Sequence, residues 1–300
     1  MANKKSTQKN SPSKFALWVA GARLRTLPLA VAPVAIGAGA AAGVQSFNAL
    51  LSLAALAVAL LLQIGVNYAN DYSDGIRGTD DFRVGPTRLT ASRLVPASAV
   101  KRAAFLCFGL AAAIGLAIVL VTQSWVLLAL GAVAIVAAWF YTGGKRPYGY
   151  MGLGEVSVFV FFGLVEVLGT TYVLVKSVWL EPILLGVAHG LFACAVLLVN
   201  NIRDRETDIV AGKRTLATRV PMWLNRVLFG VYMLVPFVIL TWFALTVFNT
   251  WWAYFALFLA IPAVLITSTA KTAPEYVLAL KLSVWTSLVF ASILAWTLAF

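Results

Sequence analysis

The chain has 300 residues, 61% of them hydrophobic and only 11% charged, with a mean hydropathy of +0.90. Soluble domains carry about 25% charged residues, so a water-soluble globular class is excluded. A formal net charge of +12 would suggest nucleic acid in a soluble protein, but here the 23 basic residues sit in short gaps between apolar runs, which is a membrane-topology pattern.

Residues 1–14 are polar and Lys-rich and are expected to form a disordered basic tail, ahead of one transmembrane domain over 15–300. A spanning helix needs about 20 mostly apolar residues. Nine such runs follow, at 27–43, 47–70, 99–121, 125–141, 152–175, 178–201, 222–247, 251–268 and 276–300. The first is short and rich in Gly and Ala. With its basic flank and small residues it also fits a signal-peptide pattern, but Gly37, Gly39 and Gly43 suit close helix packing. This parse puts 22 of the 23 Lys and Arg on one side, with Lys176 alone opposite. The positive-inside rule then sets the N-terminus in the cytoplasm and the C-terminus outside. The expected fold is an all-α bundle of nine transmembrane helices with cytoplasmic capping loops.

Little is left for chemistry. Cys107 and Cys194 lie inside apolar runs, so a disulfide framework or zinc site is not expected. The single His189 reads as helix packing and supplies no metal cluster or Ser-His-Asp arrangement. Carboxylates, amides, basic groups and tyrosines remain.

Seven of the 11 acidic residues occupy two short stretches. Gln63, Asn67, Asn70, Asp71 and Asp74 end the second span in QIGVNYANDYSD, at offsets of 4, 7, 8 and 11 that keep one helical face. Asn200, Asn201, Asp204 and Asp208 end the sixth span in VNNIRDRETD, with the same face logic. Each stretch leads into a basic loop with a glycine, GPTRL at 85–89 and GKRTL at 212–216, as a parallel duplication would give. Both polar stripes end at one membrane boundary. Carboxylates there need partners, because a charged side chain in the bilayer costs roughly 2.5–3.5 kcal/mol on insertion scales. Helix-end salt bridges are one answer, though such pairs are worth little. The repetition on two helices favours another: Mg²⁺ between facing aspartates, with substrate phosphates completing its shell and Lys and Arg holding the phosphate oxygens. On that reading Asp71, Asp74, Asp204 and Asp208 hold Mg²⁺, and Asn67, Asn70, Asn200 and Asn201 supply neutral oxygens or anchor the carboxylates. The substrate would be a diphosphate on a lipid tail.

These two stretches, NDYSDGIRGTD at 70–80 and NIRDRETDIVAGKRTLA at 201–217, resemble the Asp-rich motifs of the UbiA-type intramembrane prenyltransferases. GARLRTLPLAVAPV at 21–34 and YTGGKRPYGYMGLGEVSVFVFFG at 141–163 resemble the branch that prenylates 1,4-dihydroxy-2-naphthoate in menaquinone synthesis. The likeness runs from Trp18 onward. The broad family pattern has a further aspartate at the position of Gly78; here Asp80 and Asp81 follow it, and either could approach the metal.

The resemblance implies a nine-helix membrane enzyme, sited in a bacterial cell membrane with its active site facing the cytoplasm. It implies transfer of a polyprenyl group from polyprenyl diphosphate to the naphthoate, with loss of diphosphate and CO₂, giving demethylmenaquinone. Arg77, Lys145, Arg203, Lys213 and Arg214 are candidates for the diphosphate or the acceptor carboxylate. Tyr141 and Tyr148 are candidate neighbours of the acceptor or of the developing allylic cation. The partners implied are the two substrates and the lipid bilayer, not nucleic acid. Glu155 and Glu166, eleven residues apart on one span, fit either pocket lining or structural pairing. Other readings are a different aromatic acceptor such as 4-hydroxybenzoate, or a transporter. A transporter would place its ionisable groups near the midplane. A CDP-alcohol phosphotransferase shares the fragment from Asp71 to Gly75 but lacks the rest of that family's pattern.

Overall fold

The computed structural model describes residues 13–79 and 88–300. The expected N-terminal tail is almost wholly outside the described residues, as are Asp80 and Asp81. Among the described residues every regular element is helical. In chain order they are α1 (Lys14–Ala22), α2 (Pro28–Gly43), α3 (Ala49–Ile76), α4 (Ala97–Thr122), α5 (Val126–Phe140), α6 (Gly154–Val175), α7 (Leu180–Arg203), α8 (Arg205–Val210), α9 (Leu216–Arg219), α10 (Met222–Thr246), α11 (Thr250–Thr269) and α12 (Ala273–Ala299).

Seven of these are long and apolar enough to cross a membrane: α3, α4, α6, α7, α10, α11 and α12. The expected first span is the second half of a bent pair, Phe15–Thr26 with Pro28–Gly43, angled at 50°. The bend falls where Arg23 takes a left-handed backbone (φ 53°) and Pro28 starts the next helix. The expected fourth span is α5, whose 15 residues extend about 22 Å, short of a hydrocarbon core of about 30 Å. The nine apolar runs are therefore all helical, but they are not nine equal rods.

Two packed groups make up the bundle. One gathers α2, α6, α7, α10, α11 and α12 around Phe192, Phe229, Met233 and Phe290. The other gathers α1, α3, α4 and α5 around Tyr68, Leu89 and Phe108. Small residues let the backbones of the first group approach. A Cβ on Gly39 would stand 2.5 Å from the Cα of Ala295 on α12, and one on Gly163 would stand 2.5 Å from the Cα of Gly190 on α7. Gly163 lies in a stretch of π-helix, Phe159–Val165, that interrupts α6. A large cavity lies where the two groups meet.

Candidate active site

α3 continues unbroken through the first acidic stretch to Ile76, so Gln63, Asn67, Asp71 and Asp74 stay on one buried face. Asp71 is 1% exposed, and its carboxylate accepts the backbone N–H groups of Leu89 and Thr90, each at 2.9 Å. It thus clamps the end of the loop that leaves α3. Asp74 accepts the Tyr150 hydroxyl at 2.5 Å and the Lys213 ammonium at 3.2 Å. Asn67 donates to the Ala22 carbonyl at 3.0 Å, and Asn70 accepts from Thr142 at 2.7 Å.

The second stretch breaks its helix. α7 ends at Arg203, Asp204 has φ −93° and ψ 6°, and α8 begins at Arg205. The Arg203 guanidinium makes two bonds of 2.7 Å to Asp204 and one of 2.9 Å to Asn200. Asn201 donates to Glu155 at 3.4 Å. Asp208 comes within 3.8 Å of the Lys213 ammonium.

The two acidic stretches therefore meet across Lys213, which stands 3.2 Å from Asp74 and 3.8 Å from Asp208. The same ammonium lies 4.8 Å from the centre of the Tyr150 ring, and the Arg77 guanidinium 5.7 Å. Burial, and then the charge of Asp74, push the Tyr150 phenol above the ordinary tyrosine range, so it remains a donor. Among the described residues no three acidic, histidine or cysteine side chains form a group able to hold a metal. Of the four expected aspartates, Asp71 is engaged by the backbone amides of Leu89 and Thr90, Asp204 by the Arg203 guanidinium, and Asp74 by both Tyr150 and Lys213. Asp74 and Asp208 stand as a pair of carboxylates about one cationic group. Two hard oxygen donors suit Mg²⁺, which needs only one or two carboxylates when phosphates and water complete its shell.

A cavity of about 520 Å³ lies between the two halves of the bundle, lined by Asp71 but not by Asp74, Asn201, Asp204, Asp208 or Lys213. Its polar end carries Asn67, Asn70, Asp71, Asn200 and Arg203, and its remaining walls include Val66, Ala134, Phe161, Phe162 and Val196. Tyr141 and Tyr148 line it as expected, with ring centres 5.4 Å apart and edge to face. Tyr148 bonds the Ala137 carbonyl at 2.9 Å and Ser157 at 3.1 Å. Burial raises the Tyr148 phenol, and the bond to Ser157 partly offsets that.

Other expected residues lie off the cavity. Lys145 and Arg214 are exposed, and Arg77 is spent on the carbonyls of Thr142 and Gly144. Several cavity residues were not foreseen as site residues. Arg23, Arg25, Arg88 and Lys281 line it, although in sequence they read only as charges that set topology. Tyr150 lay inside the motif-bearing stretch 141–163, with nothing to single it out from its neighbours.

Three comparisons with known proteins bear on this site. Residues 30–280 match the model of the UbiA prenyltransferase family. The chain is 52% identical over 217 residues to the 1,4-dihydroxy-2-naphthoate octaprenyltransferase of Mycobacterium tuberculosis, covering 72% of this chain and 74% of that one. It is 41% identical over 214 residues to the Escherichia coli protein of the same name, covering 69% and 70%. Among solved structures, a UbiA homolog from Archaeoglobus fulgidus bound to GPP and Mg²⁺ superposes over 92% of this chain and 99% of its own, with a TM-score of 0.63 at 12% identity.

Proposed function

We propose a function from one premise: the chain belongs to the UbiA prenyltransferase family. It is an aromatic polyprenyltransferase of menaquinone biosynthesis, transferring the polyprenyl group of polyprenyl diphosphate to 1,4-dihydroxy-2-naphthoate. The allylic C–O bond breaks and diphosphate leaves. A C–C bond forms to the ring, and the ring carboxyl departs as CO₂, leaving the quinol form of demethylmenaquinone. The observation that carries the site assignment is the meeting of Asp74 and Asp208 across Lys213, one helical turn along α3 from Asp71, which lines a cavity polar at one end and apolar along its walls.

The roles follow from that layout. Mg²⁺, when bound, neutralises diphosphate charge as the C–O bond breaks. Asp74 and Asp208 would hold it. Asp71, Asp204, Asn67 and Asn200 complete the anionic and amide surround, and Lys213 and Arg203 hold diphosphate oxygens. Asp71 holds the backbone at Leu89 and Thr90. Arg203, held by Asp204 and Asn200, presents a buried guanidinium to the cavity. The edge-to-face pair Tyr141 and Tyr148 offers aromatic surface to the allylic cation as it forms. The apolar walls take the isoprenoid chain and keep water from it. The whole of 15–300 acts as one domain of nine spans, N-terminus inside and C-terminus outside, with the site at the cytoplasmic boundary. The one-sided distribution of Lys and Arg supports this orientation.

The test is an assay of the purified protein with Mg²⁺, a polyprenyl diphosphate and a panel of aromatic acceptors. Diphosphate release with a prenylated naphthoquinol is expected, abolished by EDTA and restored by Mg²⁺. Faster turnover of 4-hydroxybenzoate than of the naphthoate would reassign the acceptor, and activity unaffected by EDTA would reject the metal.

A further inference from the structure

Two polar side chains in the cavity wall have unused hydrogen-bonding capacity. Glu166, on α6, lines the cavity, and no hydrogen bond to its carboxyl group is found among the described residues; Oε2 is fully enclosed. Gln63, on α3, lines the same cavity. Its amide nitrogen reaches Thr26 at 3.4 Å, while Oε1 is buried with no partner. Both lie well inside their spans. Gln63 is 11 residues before Asp74 on α3, and Glu166 is 11 residues after Glu155 on α6, roughly 16 Å in each case at 1.5 Å per residue.

Such an arrangement is costly in hydrocarbon surroundings. A buried polar atom left without a partner costs about 1–3 kcal/mol, and an intramembrane carboxyl is kept where something polar meets it. The isoprenoid chain is no such partner, since it has no hydrogen-bonding group below its diphosphate. The aromatic acceptor is one: it carries two ring hydroxyls besides its carboxylate. Gln63 lies one helical turn, about 6 Å, beyond Asn67, so a bicyclic ring whose reacting carbon meets the prenyl diphosphate at the polar end extends toward it. The π-helical stretch Phe159–Val165 ends directly before Glu166, and it also carries Phe161 and Phe162 of the cavity wall. Local π turns inside α-helices recur at functional sites because they re-aim side chains.

We propose that Glu166 and Gln63 form the acceptor's hydroxyl-reading site, and so select a dihydroxy aromatic ring over one with fewer hydroxyls. This rests on the proposed prenyltransferase reading, and its test is separable from the test of that reading. Wild type, Glu166→Leu, Glu166→Gln and Gln63→Leu are compared for the KM of each substrate and for discrimination between 1,4-dihydroxy-2-naphthoate and 1-hydroxy-2-naphthoate. Glu166→Leu and Gln63→Leu should each raise the acceptor KM about tenfold, the scale of one lost hydrogen bond, and reduce the discrimination by a similar factor. The KM for polyprenyl diphosphate should stay within about twofold. Glu166→Gln, which keeps a donor and an acceptor, should recover most of the loss. Unchanged acceptor KM and discrimination in an active enzyme would overturn the proposal, as would a change confined to the polyprenyl diphosphate KM or chain-length preference. Wild-type protein that transfers no prenyl group to the naphthoate would instead reject the underlying function.

Discussion

At the end of α3 the helix runs through both aspartates, Asp71 and Asp74, and stops at Ile76; α7 stops at Arg203, before either Asp204 or Asp208. The two stretches share their Val-Asn start and an aspartate four residues after that Asn, yet their carboxylates have different employment. Asp71 holds backbone amides of its own following loop, whereas Asp204 holds the arginine beside it. The second members converge, with Asp74 and Asp208 on either side of Lys213. Similar motifs thus yield one outer pair that frames the site and one inner pair that faces charge across it. The helices differ at these points: α3 runs on past Asp71, whose carboxylate meets the amides of Leu89 and Thr90, while α7 ends at Arg203 and Asp208 lies on the separate helix α8.

That contrast sets an order of effects. The largest loss is expected at the inner pair: Asp74→Ala and Asp208→Ala should each lower kcat/KM by about 100-fold or more, the scale seen when one preorganised charge-stabilising group is removed. Assays of diphosphate release check this, and near-wild-type rates in either variant would break the pairing. The outer pair should separate from the inner by readout. Asp71→Ala leaves the amides of Leu89 and Thr90 without their acceptor, a cost of about 1–3 kcal/mol, so its Tm in detergent should fall more than that of Asp74→Ala. Equal Tm values would make the two aspartates of the first stretch equivalent.

The smallest effect is expected at Tyr150→Phe, which removes one hydrogen bond to Asp74 and should cost a few-fold in rate. Its pH dependence sharpens the contrast. Burial and the Asp74 charge raise the phenol in the folded protein, so its contribution to stability is complete below the ordinary tyrosine value of about 10 and is lost only as pH rises through the higher folded value. Wild type and Tyr150→Phe should therefore show the same alkaline limb in a pH–rate profile up to about pH 10. A limb that disappears in the variant would mean that the phenol ionises within the working range.

Much of this was legible in the chain, and the particular residues show why. The apolar runs at 47–70 and 178–201 are α3 and α7 with small shifts, because a spanning helix is dictated by length and polarity. The face shared by Asn67, Asp71 and Asp74 follows from helical periodicity alone. The bend at Arg23 and Pro28, the π-helical stretch in α6 and the helix break at Asp204 were not legible, since each is settled by packing against another helix rather than by local propensity. The same holds for Arg23, Arg25, Arg88 and Lys281. In sequence a basic residue near a span end is one more topology charge, and only the fold identifies which of them line the cavity.

By itself, the sequence determined the membrane class, the placement of the apolar segments and the two aspartate-rich helix ends, because these depend on composition and period. Tertiary structure decided which aspartates face each other, which are consumed as loop and arginine anchors, and that Lys213 and Tyr150 stand at the junction. It also decided that Gln63 and Glu166 line one cavity. Those outcomes depend on distances between segments more than a hundred residues apart, and such distances are set by how the helices pack.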